Sequence, residues 1–132
     1  MAGEKISYPL QSAAYREVDV PVKFTWNGAT VTASTQKANA RYVASIAYTT
    51  TGEATITFKE NMGVLLSAVP TVQTATGTAP VVLPTLGTYT QNSKTLVIQA
   101  TDLTTLGTPA LINPTASHTF YVSCRFSADV RD

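Results

Sequence analysis

The chain has 132 residues and a mass of 14.0 kDa, room for one compact domain with one core. Nine Lys and Arg against eight Asp and Glu leave a formal charge of +1, so no basic surplus exists to displace counterions from a phosphate backbone. Nucleic acid is therefore not expected as a partner, and a hydrophobic share of 44% argues against intrinsic disorder. Charged residues make up only 13%, about half of the ~25% usual in soluble domains. The surface is thus expected to be neutral and hydroxyl-rich, with little charge to hold neighbouring molecules apart.

Residues 1–17 read as an N-terminal arm. Gly3, Pro9 and the scattered Ile6, Tyr8, Leu10 and Tyr15 fit neither a period of two nor one of 3.6. The opening Met1-Ala2-Gly3-Glu4-Lys5 is polar with no apolar stretch behind it, so no secretory signal is expected. No apolar run approaches the roughly 18–20 residues of a membrane span, and no membrane association is expected. From Val18 the chain alternates: Val18, Val20, Val22, Phe24 and Trp26 against Asp19, Pro21, Lys23 and Thr25, the pattern of a half-buried strand. Pro21 cannot donate to a ladder, which predicts an edge position or a bulge there.

Asn27-Gly28 predicts a hairpin turn into a return strand over residues 29–35, with Val31 and Ala33 inward. A polar turn over 36–39 leads to a strand over 41–49 with Tyr42, Ala44, Ile46 and Tyr48 on one side. After the turn at Gly52, Ala54, Ile56 and Phe58 alternate with Thr55, Thr57 and Lys59, and a longer strand over 64–74 is interrupted by Pro70. Residues 79–87 are apolar but hold two prolines and a glycine, and are expected as a loop rather than a central strand; residues 103–117 behave alike. Within them, Leu83-Pro84-Thr85-Leu86-Gly87-Thr88 and Leu103-Thr104-Thr105-Leu106-Gly107-Thr108 nearly match, as a shared turn chemistry would produce. A strand over 94–100 lies between the two, and Phe120, Val122, Cys124 and Phe126 alternate in a last strand over 118–128. About eight short strands with regular turns predict an all-β chain, a single β-sandwich or jelly-roll domain over 18–132.

Little points to catalysis. His118 is the only imidazole, without an acid or nucleophile at a relay spacing, and is expected as a strand-end side chain at the surface or in a subunit contact. The carboxylates Glu4, Glu17, Asp19, Glu53, Glu60, Asp102, Asp129 and Asp132 are dispersed, and no glycine-rich phosphate loop occurs. Cys124, the one cysteine, permits no internal disulfide, supplies no metal-ligand spacing and falls on an apolar strand face. No catalytic residue, metal or cofactor is expected. A reducing cytoplasm is the expected place of synthesis.

Edge strands attract other chains unless charges blunt them, and this chain is short of charge. The apolar segments therefore offer Val81, Val82, Leu83, Leu86, Leu106, Leu111 and Ile112 as subunit-contact candidates, the alternative being that they fold over the sandwich's own open ends. Ile6, Tyr8, Leu10 and Tyr15 of the arm would dock on a different protein or swap onto a sister subunit. Gly52-Glu53-Ala54-Thr55-Ile56-Thr57-Phe58, then Val69-Pro70-Thr71-Val72-Gln73, then Phe120-Tyr121-Val122 resemble the β-sandwich domains of tailed-bacteriophage virion proteins, over residues 41–128. Those include head decoration (cement) proteins and tail-fibre tips, many of them trimers with a jelly roll similar to complement C1q and tumour necrosis factor. Ala54 stands where that pattern has an aromatic. The resemblance implies a homotrimer on the head surface, assembled in the host bacterial cytoplasm, with the arm as contact to the major capsid protein. A tail-fibre or spike tip that binds a host-surface receptor or glycan is the alternative it leaves open.

Overall fold

The alternation that opens at Val18 becomes the longest strand of a two-layer sandwich. The computed structural model describes residues 17–75, 77, 81–104, 107 and 109–127. Eight strands are seen: β1 (Glu17–Asn27), β2 (Thr30–Ala33), β3 (Val43–Thr50), β4 (Glu53–Phe58), β5 (Val64–Gln73), β6 (Val82–Thr90), β7 (Thr95–Asp102) and β8 (His118–Ser127). They form two four-stranded antiparallel sheets, ordered β2-β1-β8-β5 and β3-β4-β7-β6. On one flank β2 lies beside β3; on the other β5 lies beside β6.

Period two decides which side chains meet between the layers. Val20, Val22, Phe24 and Trp26 of β1 face inward in register with Cys124, Val122, Phe120 and His118 of β8. Ala54, Ile56 and Phe58 of β4 and Leu96, Ile98 and Ala100 of β7 close the core from the second sheet. Phe120 stacks on Phe24 at 5.4 Å between ring centroids and leans on Trp26 at 5.3 Å, while Phe58 meets Phe126 edge-on at 5.2 Å. The Trp26 indole N–H, buried with its ring, donates to the Gly28 carbonyl at 2.9 Å, which satisfies the one polar atom this side chain carries inside.

Four expectations are corrected. Residues 79–87 are not all loop: Val82–Thr90 is a strand, tolerated because β6 lies at a sheet edge. A helix, α1 (Lys37–Tyr42), replaces the expected turn and the first residues of the next strand. Bulges between Val43 and Ser45 and between Tyr48 and Thr50 then shift the inward set of β3, so that Val43 is buried and Ala44 exposed. Finally, β1 is an inner strand by order, yet β2 pairs only with Phe24 to Asn27, which leaves Pro21 with an open side.

Buried Asn39 of α1 finishes what β2 leaves undone. Its Oδ1 accepts from the Lys23 N–H at 3.1 Å, and its Nδ2 donates to the carbonyls of Lys23 (2.7 Å) and Ser34 (3.2 Å). The side-chain amide thus stands in for one more residue of ladder. Replacing Asn39 by Ala strands the Lys23 N–H and the Ser34 carbonyl, while the Lys23 carbonyl keeps the Ser34 N–H at 3.0 Å, and is expected to cost about 2 kcal/mol in urea unfolding. Asn39→Asp should also destabilise, because a carboxylate cannot donate to either carbonyl.

Candidate functional site

The two flanks of the sandwich are chemically unlike. Beside β2 and β3 lies α1 with Lys37 and Arg41, and the Lys59 ammonium donates to the Ala40 carbonyl at 2.5 Å. On the β5–β6 flank the two edge strands themselves carry no charge. Between Glu60 and Lys94 no residue carries a charge, and both edge strands fall inside that stretch. It exposes large apolar side chains instead: Leu66 (47%) and Val69 (57%) on β5, Leu83 (48%) and Leu86 (38%) on β6.

Register places these side chains. Val69 pairs with Ser123, on the side of β8 that faces away from the core, so it stands on the outer face of the first sheet. Leu66 sits at the bulge between Leu65 and Ser67. Leu83 pairs with Thr101 and stands on the outer face of the second sheet, whereas Leu86, opposite Ile98, looks toward the gap between the two edges.

Backbone pairing along this flank is blocked. In an antiparallel ladder alternate residues aim both N–H and C=O to the same side. The Ala100 N–H bonds to the Gly52 carbonyl, toward β4, so Pro84 opposite Ala100 aims its nitrogen away from β7, to the open edge. The bonds of Lys23 point to the β2 side, so Val22 pairs toward β8 with Val122. Pro70, opposite Val122 on its other side, therefore also aims outward, and so does Pro21 on the bare half of β1. Each of these three prolines places its missing N–H where no strand lies. Bulges at Leu65/Ser67 and Leu86/Tyr89 break the register further.

The other sequence-predicted contact residues fare differently. Val82 is buried in the core at 1% exposure and has no side chain to offer a neighbour, and Val81 packs against the same core half-buried. Leu111 and Ile112 fold back over the sandwich's own end. Leu111 bridges to Thr101, the Ile112 N–H donates to the Ala100 carbonyl at 3.0 Å, and Asn113 Oδ1 accepts from the Gly52 N–H at 2.7 Å. Leu106 and the arm residues Ile6, Tyr8, Leu10 and Tyr15 lie outside the described residues. Leu66 and Val69 were missed by sequence reasoning. The signal that could have found them is the uncharged stretch after Glu60, combined with the run Val64-Leu65-Leu66 that no period of two can bury.

Beside Val69, a shallow groove of about 320 Å³ runs over the outer face of the first sheet, lined by Asp19, Pro21, Ser67, Ser123 and Arg125 among others. Arg125 donates to Asp19 at 2.9 Å, lies 3.8 Å from Glu17, and holds the Asp19 carboxyl below the usual carboxylate range through that hydrogen bond. Both partners are exposed, so the pair marks a polar border to the apolar flank more than it adds stability.

Reactive groups are walled in. His118, expected at the surface, is fully buried, because it shares the parity of Phe120 and Val122 on β8. Its Nδ1 accepts from the Ala75 N–H at 3.1 Å, which assigns the ring proton to Nε2, an atom buried without a hydrogen-bond partner among the described residues. Among the described residues no three His, Cys, Asp or Glu side chains gather to hold a metal ion, and no helix is long and apolar enough to cross a membrane. Burial pushes the Cys124 thiol up to about 12. Folded protein at pH 8 is therefore expected to resist iodoacetamide, with quantitative alkylation by mass only after unfolding in urea. Above about pH 9 the unfolded thiol ionises while the folded one stays protonated, so this group's contribution to stability is intact below pH 9 and is lost as pH rises toward 12.

No protein-family model matches this chain, and neither does any curated protein or solved structure.

Proposed function

We propose that this chain works by adhesion: it is a structural protein of a bacteriophage virion that decorates the head surface as a homotrimer and clamps neighbouring major capsid subunits. The observation that carries the adhesive part is the β5–β6 flank, whose two edge strands carry no charge and turn Leu66, Val69, Leu83 and Leu86 to solvent while they cannot pair further. Exposed apolar surface of this kind, joined to a low overall charge, is what a subunit contact requires. The virion part is supported by the likeness of residues 41–128 to phage β-sandwich domains. Contact with the shell falls to the N-terminal arm.

The mechanism is mechanical. Roughly 1,000 Å² of apolar burial per copy would gain about 25 kcal/mol gross, most of it offset by lost translational and conformational freedom. Multivalent attachment of a trimer then makes modest individual contacts hold. The alternative, a glycan-binding tail-fibre tip, would use an exposed aromatic; Trp26 is buried to 0% exposure, and that role would fall to Tyr121, exposed on the outer face of β8.

Sedimentation of the purified protein, followed by co-sedimentation with phage shells that lack it, tests this reading. The expected result is a trimer that binds shells and ceases to bind when residues 1–16 are deleted. Full-length protein that stays monomeric and does not associate with shells would overturn it.

A further inference from the structure

A buried imidazole closes the end of the sandwich where β8 begins. His118 pairs with Trp26 of β1, shares the inward side of β8 with Phe120 and Val122, and has no solvent exposure. Beside it the chain leaves β5 at Gln73 and crosses to the second sheet, where β6 starts at Val82. Two hydrogen bonds pin this crossing near its ends. The Ala75 N–H donates to His118 Nδ1 at 3.1 Å, and the Leu103 N–H donates to the Val81 carbonyl at 3.0 Å.

The first of these bonds exists only while Nδ1 carries no proton. An imidazolium is a donor at both nitrogens. Its Nδ1–H would point at the Ala75 N–H, and its Nε2–H meets no acceptor among the described residues. No countercharge is built around the ring. Glu17, Asp19 and Lys23 of β1, Glu53 of β4, and Tyr121 and Arg125 of β8 all stand on the outer parity of their strands. Strands β2, β3, β5 and β6 carry no group that changes charge below neutrality, and neither does the segment 103–117. Asp102, which pairs with Val82 where the crossing ends, commits Oδ1 to the Thr104 N–H and hydroxyl at 2.8 and 2.6 Å.

We infer that His118 is an acid-sensitive catch: neutral, it holds the β5–β6 crossing to β8, and protonated, it releases Ala75 and loosens this end of the sandwich. The sign follows because the proton and the Ala75 bond exclude each other. The contact is complete above the ordinary imidazole range, near about 6.5, and is lost as pH falls through and below it. The catch is independent of the adhesive reading above, since it concerns how the two sheets are joined and not what the outer surface meets.

Nuclear magnetic resonance of the full chain tests the catch. His118 is the only histidine, so its ring signals identify themselves. Between about pH 7.5 and about pH 4.5, the Ala75 amide should lose about tenfold or more of its exchange protection, corrected for the intrinsic pH dependence of exchange. That loss should run in step with uptake of the ring proton, while the Phe120 and Val122 amides of β8 stay protected. In His118→Asn, whose side-chain carbonyl can sit where Nδ1 does and takes no proton in this range, Ala75 protection should stay flat. Should that variant fail to fold, the wild-type titration decides alone. Three results would each overturn the catch: Ala75 protection that persists while the ring titrates, Ala75 release that precedes the ring, or a ring that gains its proton only as Phe120 and Val122 lose protection with it.

Discussion

Replacing Phe120 by Ala is expected to remove about 4 kcal/mol of stability, read as a shift of the urea midpoint at unchanged slope. Phe120 is fully buried, stacks on Phe24 and touches Trp26. It also sits on β8, the strand that pairs with β1 on one side and β5 on the other, so its backbone is held in place along its whole length. A cavity opened there cannot be closed by collapse of a mobile strand, which puts the site at the costly end of aromatic truncations. Folded domains have only ~5–15 kcal/mol in hand, so the loss is a large fraction of the whole. Phe120→Leu, which keeps most of the volume, should cost markedly less. Trp26 provides an independent probe, because its ring packs on Phe120 and its emission should move toward that of a wetter indole in the Ala variant alone.

The core could be read in the chain because β1, β4, β7 and β8 alternate cleanly, and alternation is a local property that burial on one face imposes. His118 belongs to the same series as Phe120 and Val122, and its parity was a better guide than its polarity. Where local pattern and environment part, the reading fails for identifiable reasons. Helix α1 spans only Lys37–Tyr42, too few residues to show a period. At Val43 a bulge adds a residue, so that Val43 faces the core in place of Ala44, while Ile46 and Tyr48 beyond it keep the expected side. In β6, Pro84 and Gly87 argue against a strand unless the strand order is known, because only an edge tolerates them. The flank suffers from the same gap. Leu83 and Leu86 could be picked out as apolar residues in need of cover, but nothing local distinguishes them from Val82, which the core takes. Which strands end up side by side is decided by long-range pairing.

That gap also separates two ways of protecting an edge. Proline, bulges and charge all discourage a stray strand from adding to a sheet, and natural edges commonly combine them. Here Pro21, Pro70 and Pro84 face the open sides and two bulges lie on the β5–β6 flank, while neither β5 nor β6 carries a charged residue of its own. Proline and bulges prevent polymerisation through the backbone without opposing contact between side chains. Charge would oppose both. A flank that keeps the first kind of protection and omits the second is suited to a defined side-chain interface and guarded against fibre growth.

Gly52→Ala is expected to cost about 3 kcal/mol, and the comparison with Gly28→Ala shows where that comes from. Both glycines close hairpins with positive φ, +73 at Gly52 and +60 at Gly28, so both substitutions force an L side chain into the left-handed region, at roughly 1–2 kcal/mol. A Cβ on Gly28 meets nothing within 4 Å. On Gly52 it would lie 2.6 Å from the Leu111 Cβ and 2.9 Å from the Ile112 backbone nitrogen, distances that only movement of that backbone can relieve. The movement would strain three hydrogen bonds at once: Gly52 N–H to Asn113 Oδ1, Ala100 N–H to the Gly52 carbonyl, and Ile112 N–H to the Ala100 carbonyl. Urea unfolding of the two variants should therefore differ by about 1–2 kcal/mol, the share owed to the returning segment, with faster amide exchange at Ile112 in Gly52→Ala only. Equal costs in the two variants would mean that Leu111 and Ile112 are not seated on this turn, and would return them to the pool of residues free to touch another subunit.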